Sequence, residues 1–248
     1  MTGASSGIGK HLAELLARHG NEVVGLSRTT GCDVSKRADL ERAVTQVRDR
    51  WPQVDALICC AGAHGVIGPA METDPALWVQ SIELNLLGTF QSIHAFFPLL
   101  EGGPGRKKVL CFSGGGATGS RPFFSSYAVA KTGIVRLVEV LADEWRALPI
   151  DINAIAPGAI DTRLIDEMVT LGPARIGEAE YQSALKVKAG QGGSLEKVGG
   201  LVRYLLSEAS DGLSGHLLAA QWDPWNEPAT LSALAKKKDF GKLRRIAE

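Results

Sequence analysis

The sequence predicts an α/β fold in which one parallel β-sheet is covered by helices on both faces. Three observations predict it. Short apolar runs alternate with longer amphipathic segments, the apolar runs lack the alternation typical of a half-exposed sheet, and a glycine-rich turn at the start leads directly into a helix. The 248 residues, 45% of them hydrophobic, contain no internal repeat and no low-complexity linker. We therefore expect one domain over residues 1–221 and a tail over residues 222–248 that packs on it.

The elements follow one another in strand–helix order. Helix 9–19 carries Leu12, Leu15 and Leu16 at amphipathic spacing. The other predicted helices are 36–50, 75–99, 125–147 and 195–207. The predicted strands are 22–27, 55–61, 107–113, 150–155 and 215–221. Segment 163–194 is loosely patterned and rich in glycine, which is typical of a mobile lid over a substrate or of an ordinary surface loop.

Charge and cysteine content narrow the classes of function. The 27 basic and 27 acidic side chains cancel, so the chain offers no electrostatic footprint for nucleic acid or an acidic membrane surface. No apolar run is long enough to span a bilayer, and the first residues lack the pattern of a signal peptide. The cysteines at 32, 59, 60 and 111 lack zinc-type spacing and are interpreted as reduced thiols. We expect a cytoplasmic protein without a metal site, a nucleic-acid partner or a membrane partner.

The glycine-rich turn is the first candidate binding site. Glycines permit a tight turn and a close approach of the backbone to a ligand, and the free N–H groups at a helix start bind phosphate. In a strand–turn–helix context this pattern predicts a site for the pyrophosphate of a dinucleotide. The predicted contacts are Thr2, Gly3, Ser5, Ser6, Gly7, Ile8 and Gly9.

A strand is expected directly before this turn, but only Met1 stands there. In a doubly wound sheet this strand lies in the middle, so its loss would leave backbone groups of two neighbouring strands buried and unpaired. We expect that the chain is N-terminally incomplete by about five to eight strand residues. The alternatives are that another segment fills the position or that the protein is poorly stable.

The end of strand 22–27 indicates which dinucleotide is bound. An acidic residue there would bind the adenosine ribose hydroxyls of NAD, whereas this chain has Ser27 followed by Arg28. A guanidinium suits a 2′-phosphate, so the sequence favours NADP(H), with NAD(H) still possible. A surface arginine is the alternative. Asp33 is expected to bond the adenine amino group, and Val34 is expected to pack on the adenine ring.

Further cofactor contacts are expected after strands 55–61 and 150–155. The first strand ends in small residues, which would let a cofactor lie against the backbone. The second ends in a Pro-Gly turn at the carboxyl edge of the sheet. The residues concerned are Ala61, Gly62, Pro157, Gly158, Ile160 and Thr162, of which Ile160 would present its backbone to a carboxamide and Thr162 its hydroxyl.

The candidate catalytic residues centre on helix 125–147. Tyr127 and Lys131 are i and i+4, so they share one helix face, and an ammonium group near a phenol lowers the phenol pKa from about 10. Such a pair could move a proton to or from a substrate oxygen. Asn85 is expected to cap a kink in its helix and to hold a water that relays protons from Lys131. Ser113 is the candidate donor to a substrate carbonyl. The alternatives for the first two are an ordinary aromatic–lysine pair and a surface asparagine.

Taken in order, these motifs resemble the short-chain dehydrogenases/reductases over nearly the whole chain, from Thr2 to about Gln221. The matching motifs are Thr2-Gly3-x-x-x-Gly7-x-Gly9, Asp33-Val34, Ala61-Gly62, Asn85, a strand-end serine, Tyr127-x-x-x-Lys131 and Pro157-Gly158. The resemblance implies a single Rossmann-type domain and hydride transfer between a nicotinamide and a carbonyl/alcohol pair.

The resemblance also implies roles for single residues. Tyr127 would be the acid/base, Lys131 would lower its pKa and bind the nicotinamide ribose, and Asn85 would support the proton relay. The serine would orient the carbonyl. Members of this family are commonly dimers or tetramers, so a homodimer or homotetramer with the two long helices at the interface is expected.

The chain departs from the family's pattern in several places. Besides the absent first strand, Cys60 replaces the usual asparagine, and Gly114 stands where the family has its serine. Ser113 is one residue away, so a one-residue bulge would bring it into place; otherwise Thr118 or no hydroxyl serves.

The C-terminal region departs as well. Trp222 and Trp225 could wall a pocket or a subunit interface. The basic tail, with Lys236-Lys237-Lys238 and Arg244-Arg245, is interpreted as a solvated helix, with an anion site as the alternative.

The sequence therefore predicts an NADP(H)-dependent oxidoreductase that interconverts a carbonyl and a secondary alcohol of a small molecule. Acyl, sugar and small ketone substrates all stay open, and a 3-oxoacyl thioester is suggested by resemblance alone. A non-catalytic dinucleotide-binding or regulatory protein is the competing class, favoured by the absent strand and the displaced serine. A nucleotide-sugar epimerase or dehydratase shares the Tyr/Lys chemistry but usually has a larger C-terminal substrate region.

Overall fold

A four-stranded parallel sheet forms the centre of the computed structural model, which describes residues 1–237 and 239–245. In spatial order the strands are β1 (Ala56–Cys59), β2 (Lys107–Phe112), β3 (Ile150–Ala156) and β4 (Leu217–Ala219). Neighbours pair in register, with Cys59 opposite Cys111 and Ala154 opposite Leu217. The predicted α/β class and parallel sheet are confirmed, because every predicted strand from residue 55 onward forms within two residues of its expected ends.

Helices cover both faces of this sheet. They are α1 (Gly7–Arg18), α2 (Arg37–Arg50), α3 (Pro75–Ile82), α4 (Gly88–Leu100), α5 (Ser125–Glu144), α6 (Arg163–Leu171), α7 (Pro173–Ile176), α8 (Glu178–Lys186), α9 (Leu195–Leu206) and α10 (Pro228–Ala235). The predicted helix 75–99 is divided, because a π-helical turn over Glu83–Leu87 separates α3 from α4. Asp74 caps the start of α3 by accepting a hydrogen bond from the backbone N–H of Ala76 (2.8 Å).

The two cores on either side of the sheet follow from the alternation of strand side chains. On β2, Val109 and Cys111 face one core, whereas Leu110 and Phe112 face the other. The first core is completed by apolar side chains of α2, α4 and α5. The second is completed by those of α1 and α9. A strand buried on both faces explains why β2 reads as a continuous apolar run in the sequence.

The predicted strand 22–27 was wrong. Residues 22–25 are not part of a strand, and only Leu26 forms an isolated parallel bridge, with Thr2. Thr2 also bridges Cys59, so the first two residues lie between segment 22–26 and β1. A cavity of about 390 Å³ continues from Met1 along this gap. Segment 22–25 has no strand beside it here, and this explains why its β-prone residues do not pair.

The N-terminal amine is held at the mouth of this cavity, which we call the strand groove. The Met1 ammonium donates to the Val24 carbonyl (2.6 Å), and the Leu26 N–H donates to the Met1 carbonyl (2.8 Å). On the other side, the Thr2 N–H donates to the Ile58 carbonyl (2.9 Å). Burial lowers the pKa of the Met1 ammonium, because the charged form loses its hydration.

Segment 163–194 is more regular than the sequence indicated. It forms α6, α7 and α8, followed by a π-helical turn over Val187–Gln191. Its apolar residues pack in a third cluster with Phe124 and Tyr127. The alternative of an ordinary surface loop is therefore wrong, whereas the mobile lid stays a prediction. Short helices separated by Gly172 and Gly177 show too little periodicity to be recognised in the sequence.

The C-terminal tail returns to the sheet after α10. The Leu217 N–H donates to the Gly241 carbonyl (2.8 Å), and the Phe240 carbonyl lies 2.9 Å from the His216 ring nitrogen Nδ1. The Leu243 N–H donates to the carboxylate of Glu139 on α5 (2.6 Å). The tail is thus tied to both β4 and α5. Of the predicted basic tail, Lys238 lies outside the described residues, as do 246–248.

Among the residues that the structure describes, no helix is both long and apolar enough to cross a lipid bilayer.

Candidate active site

A cleft of about 420 Å³ lies at the carboxyl edge of the sheet. Most of the predicted site residues line it: Gly3, Ser5, Ser6, Gly7, Ile8, Gly9, Arg28, Asp33, Val34, Ala61, Gly62, Ser113, Tyr127, Lys131, Pro157 and Thr162. Four predicted residues do not form its walls: Thr2, Asn85, Gly158 and Ile160. The cleft is therefore assembled from the N-terminal turn and the ends of β1, β2 and β3.

Gly3 in the glycine-rich turn lies too close to the end of β1 for a side chain to fit. Gly3 has a φ of +71°, and a Cβ there would lie 2.6 Å from the Ala61 nitrogen. The Thr2 hydroxyl accepts hydrogen bonds from the N–H groups of Cys60 (3.2 Å) and Ala61 (3.3 Å). Thr2 thus acts from behind the cleft by joining the turn to the end of β1. The N-terminus of α1, at Gly7, faces the cleft with its free N–H groups.

Arg28 and hydroxyl side chains form one end of the cleft. Ser27 and Thr29 are in hydrogen-bond contact (2.8 Å), and the Ser27 N–H donates to the Thr30 hydroxyl (2.8 Å). The Arg28 side chain is exposed and makes no ion pair with the described residues. A cation and hydroxyls without a carboxylate form a suitable binding place for a phosphate.

The Asp33 carboxylate caps a turn by accepting from the N–H and the hydroxyl of Ser35 (3.0 and 2.7 Å). Asp33 therefore lines the cleft, but one of its carboxylate oxygens is already hydrogen-bonded to Ser35. Val34 is buried, and a Cβ on Gly88 would lie 2.7 Å from its side chain. Gly88 at the start of α4 is therefore needed for Val34 to reach the cleft.

Tyr127 and Lys131 lie on one face of α5, as predicted, and both are buried. The Lys131 ammonium donates to the Phe112 carbonyl (2.9 Å) and lies 5.4 Å from the centroid of the Tyr127 ring. Burial lowers the pKa of Lys131 to about 8. Burial has the opposite effect on Tyr127 and raises its pKa, although the nearby Arg121 guanidinium partly offsets this rise. The expected lowering of the Tyr127 pKa by Lys131 is not supported in this geometry, because that ammonium is directed at a backbone carbonyl.

Asn85 is fully buried in the π-helical turn. Its side-chain amide donates to the carbonyls of Ser81 and Ala63 (both 2.9 Å) and accepts from the Ala63 N–H (3.2 Å). A Cβ on Gly62 would lie 2.8 Å from the Asn85 side-chain oxygen and 3.4 Å from the Lys131 nitrogen. Gly62 thus occupies the gap between the amide and the ammonium.

Ser113 does not direct its hydroxyl at Tyr127. It is buried, and the hydroxyl donates to the Lys131 carbonyl (3.0 Å). The Ser113 N–H donates to the Ile155 carbonyl (2.8 Å), so the ladder with β3 continues through Ser113. The bulge expected in the triple glycine that follows therefore does not bring the Ser113 hydroxyl to Tyr127. A Cβ on Gly114, by contrast, would lie 2.7 Å from the Tyr127 hydroxyl. The alternative donor Thr118 is exposed.

The loop after β3 is fixed by a residue that the sequence analysis did not single out. Gly158 has a φ of +82° in the turn that follows Pro157. The Gln221 side chain donates to the Pro157 carbonyl (2.8 Å) and accepts from the Ser194 N–H (3.0 Å). Trp222, next to it, is exposed, so it does not wall a closed pocket. No sequence motif marks Gln221, because its partner Pro157 lies 64 residues away.

Two further polar side chains, which belong to no recognisable sequence motif, lie beside Tyr127. His64 is buried, with its ring centroid 5.2 Å from that of Tyr127 and its Nδ1 3.1 Å from the Glu167 carboxylate on α6. Burial lowers the pKa of His64. Arg121 lies on the same side and pairs with Glu180 on α8 (2.8 Å). The helices of segment 163–194 are thus joined to the surroundings of Tyr127 by one histidine–carboxylate hydrogen bond and one ion pair.

Comparison with known proteins gives a consistent picture. Residues 26–221 match a family model described as enoyl-(acyl carrier protein) reductase. The chain is 29% identical over 238 residues to an NAD-dependent glycerol dehydrogenase of Listeria innocua, with 88% of this chain and 89% of the relative covered. It is 28% identical over 244 residues to a 2-dehydro-3-deoxy-D-gluconate 5-dehydrogenase of Bacillus subtilis, with 88% and 91% covered.

Solved structures share the fold. Levodione reductase superposes with a TM-score of 0.77 at 24% identity, covering 91% of this chain and 96% of its own. A 3-ketoacyl-ACP reductase from Sinorhizobium meliloti superposes with a TM-score of 0.71 at 26% identity, covering 89% and 96%.

Proposed function

Because this chain belongs to the short-chain dehydrogenases/reductases and is an NAD(P)-dependent enzyme of carbonyl/alcohol redox chemistry, we propose that Tyr127 is its acid/base and NADP(H) its preferred cofactor. The observation that carries the proposal is that Tyr127 and Lys131 lie together in one wall of the cleft, with the buried Asn85 directly behind Gly62. Gly62 permits their approach, since a side chain there would meet both Asn85 and Lys131.

The cleft fits a dinucleotide. Gly3 lets the turn pack directly on the backbone of Ala61. The free N–H groups at the start of α1 then face the cleft, where a pyrophosphate would accept hydrogen bonds from them. Small residues at the end of β1 leave room along the opposite wall. When bound, the nicotinamide supplies or accepts the hydride.

The protein's own contribution is proton transfer and positioning. In the reducing direction the Tyr127 phenol donates its proton to the substrate oxygen, and in the oxidising direction the phenolate accepts it. Lys131 holds the nicotinamide ribose, and its low pKa of about 8 lets it exchange a proton near neutral pH. Asn85 holds the backbone of Ala63 in place and supports a water-mediated relay from Lys131.

The preference for NADP(H) is supported by Arg28, which has no ion pair within residues 1–237 and 239–245, and by the hydroxyls of Ser27 and Thr29 at the same end of the cleft. No acidic side chain takes the place of the ribose-binding carboxylate after Leu26. One relative is named as NAD-dependent, so NAD(H) is the alternative cofactor.

The substrate is proposed to be a small molecule with a carbonyl or secondary alcohol. Relatives are named for glycerol, a deoxy-gluconate and a ketoacyl thioester. The apolar residues of α6 to α8 that cover Tyr127 are Ile165, Met168, Ile176 and Ala184. Because they close over the tyrosine, segment 163–194 is proposed to move when substrate enters.

We also propose a homodimer or homotetramer. Leu87 and Phe90 at the start of α4, together with Val129 and Val140 on α5, are large apolar side chains that remain exposed. A second copy of the chain would bury them. Light scattering on the Phe90→Glu variant tests this: a loss of mass relative to the unaltered protein supports the interface, and an unchanged mass contradicts it.

A non-catalytic dinucleotide-binding protein is the second candidate. The Ser113 hydroxyl donates to the Lys131 carbonyl, and Gly114 has no side chain. Neither of these two residues after β2 therefore directs a hydroxyl at Tyr127. Carbonyl binding would then depend on Tyr127 alone.

Tyr127→Phe separates the two candidates. An enzyme loses turnover with an unchanged affinity for NADPH, measured by fluorescence titration. Tyr204→Phe is the matched control and should keep full activity, because the Tyr204 hydroxyl donates to the Ala209 carbonyl (3.3 Å) on another part of the molecule and does not line the cleft. Equal turnover of Tyr127→Phe and the unaltered protein would reject the proposed role.

A further inference from the structure

Arg121 lies beside Tyr127 in the loop before α5. Its guanidinium carbon stands 4.0 Å above the centroid of the Phe124 ring and 5.7 Å from that of Tyr127. The side chain is only 14% exposed. A partly desolvated cation at this distance acts strongly on the charge of a neighbouring phenol, because little water screens it.

The guanidinium is held by a helix of segment 163–194. Its Nε and Nη2 both donate to one carboxylate oxygen of Glu180 on α8 (3.1 and 2.8 Å). A third contact, from Nη2, reaches the Met168 sulfur on α6 (3.6 Å). The negative charge that neutralises Arg121 thus comes from an element that covers the site rather than from the loop that carries the arginine.

The titratable groups around Tyr127 come from several elements. They are Lys131 on the same helix, Cys60 after β1, His64 with Glu167 behind it, and Arg121 with Glu180 behind it. Burial raises the pKa of Cys60 to about 12 and lowers that of His64, so both are neutral near pH 8. The Lys131 ammonium is directed at the Phe112 carbonyl. The Arg121 guanidinium lowers the pKa of Tyr127 against the effect of burial.

We propose that Arg121 is a positioning residue that favours the phenolate of Tyr127, and that Glu180 weakens this effect while α8 is docked. The inference rests on the proposed acid/base role of Tyr127. Docking of α8 places a carboxylate on the guanidinium and keeps the phenol protonated. Undocking removes that carboxylate and favours the phenolate.

The proposal makes two variants act in opposite directions. Arg121→Gln removes the cation and leaves Glu180 nearby, so the pKa of Tyr127 rises. Glu180→Gln keeps a hydrogen-bonding side chain of the same shape but removes its charge, so the pKa of Tyr127 falls. A merely structural role would not give opposite signs. Arg121→Lys keeps the charge and should restore part of the effect lost in Arg121→Gln.

The measurement needs neither substrate nor cofactor. The chain has three tyrosines, at 127, 181 and 204, and all can be replaced by 3-fluorotyrosine, whose phenol is more acidic. Fluorine NMR then follows each phenol through a pH titration, with signals assigned from the Tyr181→Phe and Tyr204→Phe variants. Glu178→Gln is the matched control, because Glu178 lies on the same helix as Glu180 and accepts a hydrogen bond from the Gln182 side chain (2.8 Å) instead of from Arg121.

We expect the Tyr127 signal to titrate later in Arg121→Gln and earlier in Glu180→Gln, with Glu178→Gln unchanged and Tyr204 constant in all variants. Equal titration in Glu180→Gln and Glu178→Gln, or shifts of the same sign in both Arg121 and Glu180 variants, would overturn the proposal. If Arg121→Gln does not fold, Glu180→Gln alone decides. Failure of the proposed function would show separately, as unimpaired turnover of Tyr127→Phe.

Discussion

At the scale of single residues, Gly62 lies where a side chain would collide with the Asn85 amide. It separates the Asn85 amide from the Lys131 ammonium, and its backbone does not need a positive φ. Alanine at this position would therefore keep the turn but push one of the two side chains away by a few tenths of an ångström.

We expect Gly62→Ala to lower kcat by about 10- to 100-fold with a small effect on folding stability, since small displacements of positioned groups are costly in rate. Steady-state kinetics and thermal unfolding measure the two effects. Gly119→Ala is the control, because a Cβ there meets nothing within 4 Å. Normal turnover of Gly62→Ala would show that the approach of Asn85 and Lys131 is not needed.

A second residue-scale prediction concerns Arg28. If its guanidinium binds a 2′-phosphate, Arg28→Ala should weaken NADPH about 10- to 100-fold and leave NADH nearly unchanged. Fluorescence titration with both dinucleotides gives the ratio. Arg37→Ala serves as the control, because that exposed side chain pairs with Glu41 on the same helix (2.7 Å). An equal loss of both affinities would contradict recognition of the phosphate.

At the scale of elements, the tail fastens the helix that carries Tyr127 to the edge of the sheet. Glu139 on α5 is buried, pairs with Arg136 of its own helix, and receives Arg244 (3.1 Å) and the Leu243 N–H (2.6 Å) from the tail. Because the Glu139 carboxylate is desolvated, losing a partner costs more than an exposed ion pair would.

We expect Arg244→Ala to lower the free energy of unfolding by about 1 kcal/mol, since Arg244 is itself partly exposed and Arg136 stays in place. Chemical denaturation of Arg244→Ala and of the neighbouring control Arg245→Ala, whose side chain is exposed, gives the comparison. The same stability for both variants would mean that the tail is held by its backbone contacts alone.

The sequence was informative about elements whose signals are local. The glycine turn, the Tyr–Lys spacing and β2 each depend on a few adjacent residues, and all three lie where expected. Strand 22–27 was wrong, because a strand needs a partner and not only β-prone residues. Arg121 and Glu180 are 59 residues apart, so no local pattern could announce their pairing. Ser113 was misplaced because strand register, fixed by β3, decides which way its hydroxyl points.

At the scale of the whole molecule, the strand groove leaves a cavity between segment 22–26 and β1. In a parallel ladder the N–H and C=O of one residue point to the same side, and alternate residues point to opposite sides. The Ile58 carbonyl faces Thr2 and the Val24 carbonyl faces Met1, so Ala56 and Glu22, each two residues earlier, also face the groove. Their polar groups border a cavity instead of a strand.

A segment that fills this groove should stabilise the fold. We expect five alternating apolar residues fused ahead of Met1, spanning about 17 Å, to raise Tm by at least about 5 °C. The fusion also removes the buried ammonium of Met1. Differential scanning calorimetry measures the change against a fusion of five glycine and serine residues, which lacks apolar side chains. Equal Tm values for both fusions would show that the groove does not accept a strand.

The backbone groups that border the strand groove also influence self-association of this protein in solution. Unpaired strand edges are templates for intermolecular β-pairing, and such pairing does not close on itself as a symmetric interface does. Association through the groove would therefore grow with concentration into open-ended assemblies, whereas association through α4 and α5 would stop at a defined size. The way in which the mean particle size of the purified protein changes with concentration therefore indicates whether the strand groove takes part in association.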